Sequence, residues 1–103
     1  MLVVRAEEAE RIENPYGADV RALLKRENAK VMLVTLNPGE ALERHTTPVD
    51  AFIYIIKGKA LVEVGEESEE AKKDVLVFLP KNIPHAVRNA GSLPLKFLVV
   101  KLG

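Results

Sequence analysis

The chain has no cysteine, no tryptophan and no glutamine among its 103 residues, and only two histidines. Without cysteine there is no disulfide, no thiolate nucleophile and no Cys-type zinc site. Long apolar runs are missing too, and no stretch approaches the roughly 18 residues of a membrane-spanning helix. Neither charge predominates, because 15 basic and 15 acidic residues leave a formal net charge of 0. No basic run is interleaved with aromatics, so nothing points to nucleic acid as a partner. The N-terminal Met1-Leu2-Val3-Val4-Arg5-Ala6-Glu7-Glu8 turns acidic too early for a secretory signal. A cytoplasmic protein is the simplest expectation. The bias toward Lys and Glu resembles that of hyperthermophile proteins, which favour ion pairs over thermolabile side chains.

What is present is enough for one core. Hydrophobic residues make up 48% of the chain, and this length suits a single domain. Short β-rich runs recur between turn signals: Val20–Leu24, Lys30–Leu36, Phe52–Ile56, Ala60–Val64, Val75–Leu79, His85–Asn89 and Leu95–Leu102. Asn37-Pro38-Gly39 is a strong turn. Lys57-Gly58-Lys59 reads as a tight hairpin with Gly at a positive φ. Glu66-Glu67-Ser68-Glu69-Glu70 reads as a solvated loop, since it lacks the ligand spacing of a calcium site. Only Ala6–Ile12 has helical character, and it is too short to be stable alone. About eight strands at short spacing predict an all-β antiparallel sandwich or barrel.

The two histidines, His45 and His85, each follow a turn-rich segment. Around them the chain resembles the cupin superfamily, whose first motif is G-x5-H-x-H-x3,4-E-x6-G. Here it runs Gly39, five residues, His45, Thr46, Thr47, three residues, Ala51, six residues, Gly58. The second motif is G-x5-P-x-G-x2-H-x3-N. Here it runs Asp74, five residues, Pro80, Lys81, Asn82, two residues, His85, three residues, Asn89. The spacing match is complete over residues 39–89. Asp74 and Asn82 replace glycines, and Asp and Asn tolerate left-handed backbone better than other residues. The resemblance implies one cupin domain over residues 1–103, a double-stranded β-helix (jelly-roll) barrel with its motifs at 39–58 and 74–89.

The departures fall on the metal ligands. Metal-binding cupins converge three His and one Glu inside the barrel, but Thr47 stands for the second His and Ala51 for the Glu. Carried over by position, only His45 and His85 remain. Catalytic zinc sites use three protein ligands, and the non-haem iron triad needs two His and a carboxylate. Two imidazoles alone imply at most one weakly held divalent metal ion. Glu43, by strand parity with His45, and Asp50, through a bulge or slip beside Ala51, are the candidates for a third ligand. Arg44 and Arg88 have the opposite parity to the histidines and are expected to point outward. Tyr54 is expected in the barrel wall or a dimer core, and Asn89 is expected to satisfy backbone groups at a strand end.

Three functions follow from this reading. The first is a small-molecule-binding cupin with an incomplete metal site, its cavity lined by His45, His85, Thr47, Ala51 and Met32 and suited to a small organic ligand. The second is a metal-dependent enzyme of isomerase or dioxygenase type, using the two imidazoles and one carboxylate. The third is an oligomerising module. The resemblance implies a homodimer, to which Leu2-Val3-Val4 can add an edge strand. No acid–base pair or nucleophile constellation names a reaction.

Overall fold

A computed structural model describes residues 1–103. Ten strands form two antiparallel sheets. They are β1 (Glu10–Arg11), β2 (Asp19–Lys25), β3 (Lys30–Leu36), β4 (Ala41–His45), β5 (Asp50–Lys57), β6 (Ala60–Val64), β7 (Glu67–Ala71), β8 (Leu76–Leu79), β9 (His85–Asn89) and β10 (Leu95–Leu102). The six-stranded sheet has the order β1-β2-β3-β10-β5-β8, and the four-stranded sheet β4-β9-β6-β7. No helix is long and apolar enough to cross a membrane.

Alternation along the strands decides what is inside. In β5, Ala51, Ile53 and Ile55 are buried while Asp50, Phe52 and Tyr54 are not. In β10, Leu95 and Phe97 are fully buried at 0% exposure, and β10 lies between β3 and β5. One continuous core joins both sheets through Val34, Leu36, Ile53, Ile55, Val62 and Phe97. Each such side chain contributes roughly 1.5–3 kcal/mol by leaving water.

Several expectations change. Ala6–Ile12 is not a helix: a 3-10 turn, Ala6–Glu8, is followed by the short β1, with no side-chain cap and no buried residue to hold a longer helix. The acidic segment is not a loop either. Glu67–Ala71 is β7, the edge of the four-stranded sheet, paired to β6 across a two-residue turn at Gly65-Glu66. Charged residues on an edge strand discourage pairing with other chains.

Lys57-Gly58-Lys59 is not a hairpin. β5 pairs with β10 and β8, whereas β6 pairs with β7 and β9, so the turn carries the chain from one sheet to the other. The positive φ does occur, at 91° for Gly58, 68° for Asp74 and 62° for Asn82.

One end of the sandwich is closed by Asn89. Its buried amide Nδ2 donates to the carbonyls of Leu36 and Leu93 at 2.9 Å each, and its Oδ1 accepts from Gly91 N at 2.9 Å. Gly58 belongs to the same end. A Cβ there would lie 2.8 Å from Leu95 Cα and 2.8 Å from Pro94 O. Both obstacles are backbone atoms, so the site cannot relax by rotating a side chain. Gly58→Ala is therefore expected to cost about 2 kcal/mol or more of stability, measured as a lowered urea midpoint with an unchanged m-value. A midpoint within error of the wild type would contradict the packing.

Candidate functional site

The other end carries the histidines. β4 and β9 are neighbours, and His45 and His85 are direct cross-strand partners. Their ring centroids are 4.5 Å apart with the planes at 68°. His85 is buried, His45 half-buried.

A bulge makes this pairing face inward. Leu42 opposes Val87 and His45 opposes His85, so three residues advance on β4 while two advance on β9. Both Leu42 and His45 consequently point inside, and Glu43 and Arg44 are pushed out together.

The backbone fixes both tautomers. Nδ1 of His45 lies 2.7 Å from Glu43 O, and Nδ1 of His85 lies 3.2 Å from Ile83 O. A carbonyl can only accept, so each Nδ1 carries its proton and donates. In the neutral rings each Nε2 is then left with its lone pair, the orientation that second-shell carbonyls impose on ligating imidazoles. The buried Thr47 hydroxyl sits 3.4 Å from His85 Nε2, a long and weak contact.

The expected third ligands are not gathered here. Glu43 is exposed because the bulge cancels the parity that would have turned it in. Asp50 neighbours the inward Ala51, and its Oδ1 accepts from Lys81 N at 2.9 Å, tying the start of β5 to the loop before β9. No group of three His, Cys, Asp or Glu side chains is placed to hold a metal ion. With no donor on Ala51 and only a neutral hydroxyl on Thr47, the donor set does not fit a tightly held catalytic metal.

The expected lining residues have mixed placements. Ala51 and Thr47 are buried, while Met32 is half-buried against the core. None of them lines a cleft of about 270 Å³ that opens between β7 and β8 over Val62, Val64 and Val77 and carries Glu67 and Glu69. That cleft meets the imidazoles through one row of the sheet, in which Glu67 pairs with Val64, Val64 with His85, and His85 with His45. Arg44 and Arg88 are exposed, as parity predicts; Arg44 reaches Glu63 at 3.4 Å.

Two residues join the site that motif reading passed over. Tyr16 packs beside His45, ring centroids 6.0 Å apart. Asn14 shapes its loop, accepting from the amides of Tyr16 and Ala18 and donating to the carbonyls of Ile12 and Ala18. The second is Lys101. On β10 it continues the inward set Leu95, Phe97 and Val99, pairs directly with Ala51, and lies close enough to His85 for its charge to disfavour a protonated ring. It forms no ion pair.

Two sheets wound as a double-stranded β-helix, with an imidazole pair at one mouth, define a small jelly-roll domain. The chain matches the cupin domain family model over residues 32–101, and it belongs to the cupin family. It is 32% identical over 66 residues to an uncharacterised protein of Methanocaldococcus jannaschii, covering 64% of this chain and 52% of that protein. The chain spans about half or less of the length of the curated relatives it matches. A solved structure from Thermus thermophilus superposes with a TM-score of 0.85 at 29% identity, over 99% of this chain and 97% of that one. A predicted oxalate decarboxylase of Thermotoga maritima gives 0.86 at 26% identity, covering 98% of each.

Burial and the neighbouring His45 hold the His85 pKa below its ordinary value of 6.5. The unfolded chain therefore binds a proton at His85 more readily than the folded one. Stability from this group is full above pH 6.5 and is lost as the pH falls from there toward the lower folded pKa. An NMR titration should place the His85 midpoint below 6.5, and His85→Gln should flatten the loss of stability as the pH falls below 6.5. A midpoint at or above 6.5 would contradict the burial argument.

Proposed function

We propose that this cupin is a small-molecule-binding domain whose metal site is incomplete, and that it is non-catalytic or weakly catalytic. One observation carries the reading: two imidazoles pair across β4 and β9, each with its Nδ1 donating to a backbone carbonyl, and no carboxylate is gathered beside them. His45, being half-exposed, is the point of access. A polar floor within apolar walls suits a small organic ligand. Any divalent metal bound by the pair alone needs water or the ligand to complete its shell, so its affinity is low. Calorimetric titration of the full chain with zinc and with nickel is expected to show no tight step at one equivalent. One equivalent retained through desalting, and lost in His85→Ala, would replace this reading with that of a metal-dependent enzyme.

The acting unit is a homodimer joined through the outer face of the six-stranded sheet. Strand register sets two apolar rows there, Leu98–Tyr54–Leu76 and Val31–Val100–Phe52–Phe78, while Leu33, next to Leu98, is already buried. At the β8 end, Leu76 is 53% and Phe78 49% exposed. Contiguous apolar surface of this kind is characteristic of interaction sites, and a second copy offers the matching surface. Sedimentation equilibrium at micromolar protein should give a dimer, and the double variant Leu76→Glu/Phe78→Glu a folded monomer. A monomeric wild type would exclude the dimer.

A further inference from the structure

Ala51 and Lys101 are direct partners on β5 and β10, and both face the sandwich interior. At the one position where the family pattern places a carboxylate, this chain has a methyl group and, opposite it, a primary amine. Lys101 is half-buried as a residue, and its ammonium has no carboxylate partner within ion-pair distance. The carboxylates nearest in sequence to the mouth are committed or turned away, Asp50 to Lys81 N and Glu43 to solvent. Lys30, paired with Lys101 on the other side, is exposed and adds a second cation at the rim. With Lys101 in step with the inward residues of the β5–β10 wall and no carboxylate gathered at the imidazoles, the mouth favours an anion over a divalent cation.

The hydrogen-bonding inventory narrows the ligand further. In the neutral rings both Nε2 atoms are acceptors, because each Nδ1 proton is held by a backbone carbonyl. Acceptors need donors, which a bare carboxylate cannot supply. A ligand that satisfies the mouth therefore carries an anionic group for Lys101 and a hydroxyl for the more exposed His45, since His85 Nε2 already has the Thr47 hydroxyl at 3.4 Å. Resting on the small-molecule reading above, the geometry points to Lys101 as the specificity-determining residue of a site for small hydroxycarboxylates.

Malate and succinate differ by one hydroxyl, and glycerol has hydroxyls without the charge. Each is titrated into the full chain while the ring signals of His45 and His85 are followed by NMR. Malate should move both signals saturably, succinate should bind more weakly, and glycerol weakest. Lys101→Met should weaken malate about tenfold or more, the loss of one charge-assisted contact, and Lys101→Arg should stay within a few-fold of the wild type. If Lys101→Met fails to fold, the salt dependence of wild-type binding is the second readout, since added salt should weaken malate but not glycerol. Equal malate affinity in Lys101→Met, salt-independent malate binding, or glycerol binding as well as malate would overturn the role of Lys101 and leave the small-molecule site standing. Succinate equal to malate would overturn the hydroxyl requirement. If malate, succinate, glycerol and zinc all leave both rings unmoved, the small-molecule reading falls with it.

Discussion

A buried carboxamide holds this sandwich shut at one end. Asn89 satisfies one carbonyl at the last residue of β3, Leu36, and a carbonyl and an amide in the loop before β10, at Leu93 and Gly91. Backbone groups buried without partners would each cost roughly 1–3 kcal/mol, so the turn after β3 and the approach to β10 need such a side chain. Asn89 N also donates to Glu40 O and Ala90 N to Lys59 O, bringing both sheets into the same knot. With that end sealed, the strands deliver their other ends to the mouth in fixed register.

At the mouth, the bulge in β4 decides the chemistry. Without the extra residue, the parity set by Leu42 would turn His45 to solvent. With it, an imidazole pair forms, while Glu43, which directly follows the inward Leu42, stays outside. The distortion therefore brings in His45 without bringing the same-parity Glu43 in with it. Tyr16, on a loop that one asparagine organises, stands beside the exposed ring.

Much of this was legible in the sequence because the signals were conformational. Asp74 and Asn82 occupy left-handed positions where the pattern has glycine, and both residue types tolerate that backbone. The pairing of His45 with His85 followed from motif spacing. What failed to show has particular causes. Gly58 announced a positive φ, but a turn's backbone sign does not say which sheet receives the next strand. β7 is an edge strand exposed on both faces except at Ala71, so the alternation that betrays strands is erased. The β4 bulge has no residue signature, which is why parity misplaced Glu43. Lys101 was legible in principle, as a cation in step with Phe97 and Val99. Tyr16, in a loop without periodicity, was not.

The pairing of Ala51 with Lys101 also bears on how this site can change over time. Side chains directly opposite on antiparallel strands lie about 4.5–5.5 Å apart at Cβ. A glutamate placed at position 51 would meet the ammonium before it met a metal, and the two would neutralise each other. Gaining the family-type ligand thus requires two replacements, a carboxylate at position 51 and a neutral side chain at position 101. A single change at position 51 would give a cross-strand ion pair in place of a metal ligand, so the neighbour on β10 decides what a carboxylate there can do.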